Sequence, residues 1–172
     1  MQVVPTTYNG ITYRSRTEAR WAHVFDLLGW LHDYEIETFK LPCGRYLPDF
    51  YLPQFRTFFE VKAREPTEAE CLKAELLCLH TKCDVLVSTS PPRPERKEWD
   101  NDIISFNFEM IDDEPFVDIH RGGFVSRRRE EHPACSIHLG NLAHIGARRE
   151  IEWQTAFRAA ANNRFGVFEQ PK

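Results

Sequence analysis

Three charged side chains stand inside the most apolar, most strand-like passage of the chain, YLPDFYLPQFRTFFEVKA: Asp49, Glu60 and Lys62. Charged groups are rarely buried unless they are paired or bind a metal. The passage reads as two strands around the loop Pro53-Gln54-Phe55-Arg56, a common hairpin length. That loop sets Leu52 against Thr57, and continuing the register sets Asp49 against Glu60. Opposed like charges cost a sheet about 0.2–1 kcal/mol at an exposed surface, and more where water is excluded. A divalent cation between them turns the repulsion into attraction, and oxygen ligands are what Mg²⁺ prefers. A slip of one residue would place the carboxylates on opposite faces. Alternation along the second strand needs no register: Phe58, Glu60 and Lys62 share one face, Phe59 and Val61 the other. Glu60 and Lys62 are therefore neighbours, as a metal ligand and a cation near an attacking water should be. A plain Glu60–Lys62 ion pair on a partly exposed strand satisfies the same alternation. Pro48 cannot donate to a ladder, so the pairing is expected to loosen just before Asp49, and loosened sheet ends often host chemistry.

Glu18 is a third acidic candidate. It follows Ser15, a good N-cap, by three residues, and it precedes Trp21, Phe25 and Leu28, which repeat at helical spacing up to a stop at Gly29. It continues that apolar stripe toward the core, so it is either a capping-box glutamate serving Ser15 or a carboxylate aimed at the same cation. A first-turn glutamate also suits the helix dipole, and both roles are compatible.

The elements that must hold these residues follow from pattern. Asn9-Gly10 between strand-favouring residues signals a hairpin. YEIETFK (Tyr34 to Lys40) alternates as a strand. Thr67 with Glu70 forms a capping box for a second helix, whose expected buried face is Ala69, Leu72, Leu76 and Leu79. CDVLVST (Cys83 to Thr89) reads as a central buried strand. The strand–helix–strand passage calls for a right-handed crossover that leaves two strands parallel. The expected fold is α/β, with a central mixed sheet flanked by helices over residues 1–90.

SPPRPERKEWDND, within which residues 91–102 form the expected boundary, is a proline-rich, charged break. Beyond it, residues 103–172 form a C-terminal α+β extension: IISFNFEM and PFVDIH look like strands. ARREIEWQTAFRAAANNRF (Ala147 to Phe165) looks like a helix with Trp153, Phe157 and Ala160 on one side. The extension is expected to shape substrate choice or homodimer formation.

The 172 residues suit one domain with a real core, or one with a small appendage. No apolar run is long enough to cross a bilayer and the N-terminus lacks a signal-peptide pattern, so a cytoplasmic protein without a membrane partner is expected. Five cysteines, with Cys71 and Cys78 in a helical pattern, point to reduced thiols rather than a disulfide framework. The net charge of −4 argues against coating nucleic acid by bulk electrostatics, and leaves room for a local basic groove.

Glu18 on a first helix, Pro48-Asp49, then Glu60-Val61-Lys62 resembles the PD-(D/E)XK nuclease superfamily. The flanking YEIE, YLPDFYLP and FFEVKA look most like its small phage and bacterial members, such as Holliday-junction-resolving and transposon-end endonucleases. The resemblance runs from Tyr8 to Ser90. It implies a restriction-endonuclease-like core and metal-dependent hydrolysis of DNA phosphodiesters in a bacterial or phage-infected cell. Asp49 and Glu60, with the Val61 carbonyl, would hold one or two Mg²⁺, with Mn²⁺ able to substitute. Glu18 would assist directly or through water, and Lys62 would orient the attacking water. The rival reading is a catalytically inactive DNA-binding or assembly module that keeps the fold.

Secondary candidates surround this set. Arg14, Arg16 and Arg20 flank the first helix and could meet phosphates, and Tyr13 could stack on a base or sugar. Lys73 lies on the second helix, either facing the site or on a solvated flank. RGGFVSRRRE, with Arg127, Arg128 and Arg129, is the clearest basic run, a DNA-binding loop or a flexible charged one. His132, Cys135 and His138 offer only three ligands at a non-standard spacing, so structural Zn²⁺ is not expected.

Overall fold

The structure is a computed structural model, and it describes residues 4–91, 103–121, 155–156 and 158–161. The chain opens with a hairpin, β1 (Thr6–Tyr8) and β2 (Ile11–Tyr13), whose turn residues Asn9 and Gly10 both take positive φ, as the Asn-Gly pair predicts. Helix α1 (Arg16–Leu27) starts where Ser15 accepts the Glu18 amide, and Gly29, with φ +68°, ends it.

The next passage departs from the expected strand over Tyr34 to Lys40. Strand β3 (Asp33–Tyr34) is only two residues long and stops at Glu35, which sits in the left-handed region with φ +48°. The chain then forms a separate small hairpin, β4 (Phe39–Leu41) with β5 (Gly44–Tyr46). Alternation in the sequence hid this break, because a left-handed non-glycine residue has no reliable signature.

Strand β6 (Phe50–Leu52) leads through a 3₁₀ turn, Pro53–Phe55, and a left-handed Arg56 into β7 (Thr57–Val61). The register is Leu52 with Thr57 and Phe50 with Phe59, so the loop length read from sequence sets the pairing. Helix α2 (Glu68–Thr81) begins with the Thr67–Glu70 capping box and leads into β8 (Asp84–Ser88), which pairs parallel to β7. Strands β9 (Ile103–Ile111) and β10 (Glu114–Arg121) complete a six-stranded mixed sheet of order β10-β9-β8-β7-β6-β3. Residues beyond the proline-rich break thus continue the same sheet, with β9 antiparallel to β8.

The fold is α/β, and its two sheet faces carry separate cores. On one face α1 lays Trp21, Val24 and Phe25 against Phe50, Phe59 and Leu86, with Ala160 of the C-terminal helical residues buried among them. On the other, α2 meets Phe58, Val85, Phe106 and Phe108. The buried residues of α2 are Ala74, Leu77 and Cys78, while Leu72 is exposed, which corrects the face expected from the leucines. The small Ala74 and Cys78 allow a close approach, and the Cys78 thiol reaches the Phe106 carbonyl at 3.4 Å. Cys43, Cys71, Cys78 and Cys83 carry reduced thiols. Among the described residues, no helix is long and apolar enough to cross a membrane. Trp153 and Phe157, the Arg127–Arg129 run and the His132, Cys135 and His138 group lie outside the described residues.

Candidate active site

Asp49 stands one step beyond the last β6–β7 pair, where Pro48 ends the ladder. Continuing the register places it opposite Glu60, and each carboxylate reaches across to the backbone of the other strand. The Asp49 amide donates to Glu60 Oε2 at 3.3 Å, and the Val61 amide donates to Asp49 Oδ2 at 2.7 Å. Both carboxylates are nearly sealed from solvent, Asp49 at 3% exposure and Glu60 at 4%. They lie toward the α2 face, since Glu60 aligns with Val87 and shares its side of the sheet with Phe58.

The surroundings are charged and polar. Lys62 Nζ lies 2.6 Å from Glu60 Oε1 and 3.9 Å from Glu70 Oε1, so the first turn of α2 borders the site. Arg64 pairs with Glu70 at 2.9 Å. Tyr46, at the end of β5, stands near enough to Glu60 to feel its charge, so the small β4–β5 hairpin borders the site. Arg14 Nη2 reaches Asp49 Oδ1 at 2.6 Å, and Arg14 Nε lies 2.5 Å from Glu35 Oε1, a charge contact without hydrogen-bond alignment.

Glu18 comes from α1, on the opposite face of the sheet, and its two oxygens are engaged. Oε1 accepts from the Ser15 hydroxyl at 2.6 Å, while Oε2 accepts from the Tyr34 hydroxyl at 2.6 Å and the Arg14 amide at 3.2 Å. It accepts from the Ser15 hydroxyl and the Arg14 amide rather than from the Ser15 amide, so the reciprocal capping box expected at α1 is not closed, and it links to Asp49 through Arg14. Glu35 holds its left-handed backbone by donating its amide to the Asp49 carbonyl at 2.9 Å. Such a conformation costs of order 1 kcal/mol and tends to cluster at functional sites.

Electrostatics follow from this packing. Burial, then the facing Glu60, drives the Asp49 carboxyl well above the ordinary carboxylate range, against the opposing pull of the Val61 amide and Arg14. Burial works against the Lys62 ammonium, but the Glu60 charge and hydrogen bond outweigh it and raise its pKa. Burial and Glu60 likewise push the Tyr46 phenol up, so it stays a hydrogen-bond donor. The Thr67 amide, with Arg64 and Lys62, holds Glu70 down at about 2.

A divalent ion fits the chemistry of this donor set. Glu18, Glu35, Asp49, Glu60 and Glu70 are five carboxylates against the three cations Arg14, Lys62 and Arg64, an excess of two negative charges when all are ionised. Mg²⁺ needs only one or two carboxylates, completing its shell with water, carbonyl and substrate oxygens. Among the described residues, no group of three or more His, Cys, Asp or Glu side chains is arranged to hold a metal, so a cation here would rest on the Asp49–Glu60 pair.

The structure thus brings Asp49, Glu60, Val61 and Lys62 together, with Glu18 and Arg14 at their border. It corrects the reading of Tyr13 as a stacking surface: the ring is 1% exposed, packed between Tyr34 and Phe50, because β2 turns it toward the α1 core. Arg16 is exposed, and Arg20 and Lys73 are half-buried; none of the three contacts the carboxylate pair. Sequence reasoning missed Tyr34, Glu35 and Tyr46. Tyr46 stands three residues before Asp49, and that proximity was the one available signal. Compared with protein-family models, curated proteins and solved structures, the chain matches none.

Proposed function

We propose that the chain is a Mg²⁺-dependent DNA endonuclease with a restriction-endonuclease-like core of the PD-(D/E)XK kind. One observation carries this reading: Asp49 and Glu60, both buried, are bonded across neighbouring strand ends, with Lys62 Nζ 2.6 Å from Glu60. Burying two opposed carboxylates is costly, and a site that binds a cation gives that cost a use. The mixed sheet with its parallel β7–α2–β8 step supports the same fold.

In this reading Asp49, Glu60 and the Val61 carbonyl hold the ion. When bound there, Mg²⁺ polarises the phosphate and lowers the pKa of a bound water. Lys62, kept protonated by Glu60, acts as a hydrogen-bond donor that orients water and offsets phosphate charge rather than as a base. The Val61 amide holds Asp49 and the Lys62 ammonium holds Glu60, so both carboxylates are placed before substrate arrives. Glu18, through Tyr34 and Arg14, positions the acidic cluster. DNA is preferred to RNA on the family resemblance.

A second reading, an inactive DNA-binding or assembly module, draws on a different observation: each carboxylate already has its own cation, Arg14 on Asp49 and Lys62 on Glu60. The two separate on a panel of supercoiled plasmid, single-stranded and four-way-junction DNA incubated with Mg²⁺, Mn²⁺ or EDTA. Metal-dependent cutting that Asp49→Ala and Lys62→Ala abolish is the expected result. No cutting with metal, or variants that cut as wild type does, would falsify the nuclease reading.

A further inference from the structure

The Arg14 guanidinium occupies an oxygen of Asp49, and the inference drawn from this rests on the cation reading of the Asp49–Glu60 pair. The two Asp49 oxygens are divided between partners: Oδ2 takes the Val61 amide at 2.7 Å, and Oδ1 takes Arg14 Nη2 at 2.6 Å. Oδ1 is the oxygen that the backbone leaves open to a cation, and it is the one the guanidinium covers. Arg14 reaches it from outside, because its side chain is 55% exposed while that of Asp49 is almost sealed. Its main chain is held separately, the amide donating to Glu18 Oε2 at 3.2 Å and to the Tyr34 hydroxyl at 3.0 Å. The side-chain tip can leave without moving the start of α1, and Glu35, against Nε, keeps the arm beside the site.

We propose that Arg14 is a resident counter-ion which the divalent cation displaces from Asp49 and which then grips the substrate phosphate, so that cation and phosphodiester bind cooperatively. A divalent ion and a guanidinium repel each other across a single oxygen at short range. Alone, the ion must evict Arg14 from Asp49 and leave that charge close by with only Glu35 to offset it. A phosphodiester removes the penalty, since the planar guanidinium fork suits phosphate oxygens. By linkage, each ligand then tightens the other by the same factor. Lys62 does not play this part, because its partner is Glu60 and it borders Glu70 as well.

Calorimetric titration of Mn²⁺ into the whole protein, with and without a short phosphorothioate DNA duplex, tests the exchange. Thermal melts first establish that each variant is folded. Without DNA, Arg14→Gln is expected to bind Mn²⁺ roughly tenfold tighter than wild type, within the ordinary 5–150-fold range of such couplings. The duplex should tighten Mn²⁺ binding to wild type by a similar factor and leave Arg14→Gln unchanged. Arg14→Lys, which keeps a charge near Asp49 but lacks the fork, should retain the weak Mn²⁺ binding and lose most of the DNA effect. Equal or weaker Mn²⁺ binding by Arg14→Gln, or an undiminished DNA effect in that variant, overturns the exchange while the cation site stands. No Mn²⁺ binding by either protein removes the cation reading and the exchange together.

Discussion

At the scale of single residues, the site is a balance of charges held out of water. Asp49 is the sensitive group, with burial and Glu60 raising its carboxyl to about 8. A folded-state pKa above the unfolded value means that the native protein holds the proton more tightly. The associated stability is complete below the unfolded value near pH 4 and is lost as pH rises toward 8. In metal-free buffer, melting temperature should therefore fall between pH 5 and pH 8, in this window set by Asp49, and Asp49→Asn should flatten that fall. On the proposed cation site, saturating Mg²⁺ should oppose it, because an ion there would bind the deprotonated pair with an affinity that rises with pH. Identical pH slopes in wild type and Asp49→Asn would show that Asp49 carries no such strain. The Asp49, Glu60 and Lys62 trio was legible in the sequence because strand alternation and loop length are local rules. The Arg14–Asp49 contact spans 35 positions and the Tyr34–Glu18 contact 16, so no local rule reveals them.

At the scale of elements, short caps and turns do most of the placing. The Thr67–Glu70 box fixes the start of α2 where Glu70 borders Lys62. Thr67→Ala should cost about 1 kcal/mol in urea unfolding. It should leave cation affinity nearly unchanged, because Thr67 makes no contact with the carboxylate pair. A tenfold loss of affinity would mean that the α2 start sets the site's geometry more tightly than its contacts suggest. The element boundaries legible in sequence were those with chemical punctuation: Ser15, Gly29, Asn9-Gly10, Thr67 and Glu70. The β3–β4 break was not, since Glu35 adopts its left-handed conformation through a long-range bond to the Asp49 carbonyl. The buried face of α2 was misread for a related reason. Leucines occur around much of that helix, and the sheet selects the side with small residues, Ala74 and Cys78.

At the scale of the whole molecule, one sheet ties the site to both cores. Phe59, next to Glu60 in β7, is 1% exposed and packs against Trp21 and Phe25 of α1 at ring distances of 4.8 and 5.2 Å. Phe59→Ala should cost about 3–5 kcal/mol, read from chemical denaturation. A loss below 1 kcal/mol would mean that the α1 face is not the packed core it forms here. The proline-rich break was visible in composition, and the continuation of the sheet beyond it was not, because strand order is a long-range property. Ile103, Ile104, Phe106 and Phe108 fill both faces beside β8. A chain cut after Pro91 should therefore lose cooperative unfolding, and a sharp two-state transition in that fragment would show that residues 4–91 suffice for the core.

The central claim is that Asp49 and Glu60 form a divalent-cation site. Anomalous diffraction from crystals soaked in Mn²⁺ tests it most directly. The expected result is a peak between the two carboxylates, about 2.1 Å from an oxygen of each, the spacing Mg²⁺-type octahedral sites require. No peak there at saturating Mn²⁺, with Arg14 still on Asp49 and Lys62 still on Glu60, would contradict it.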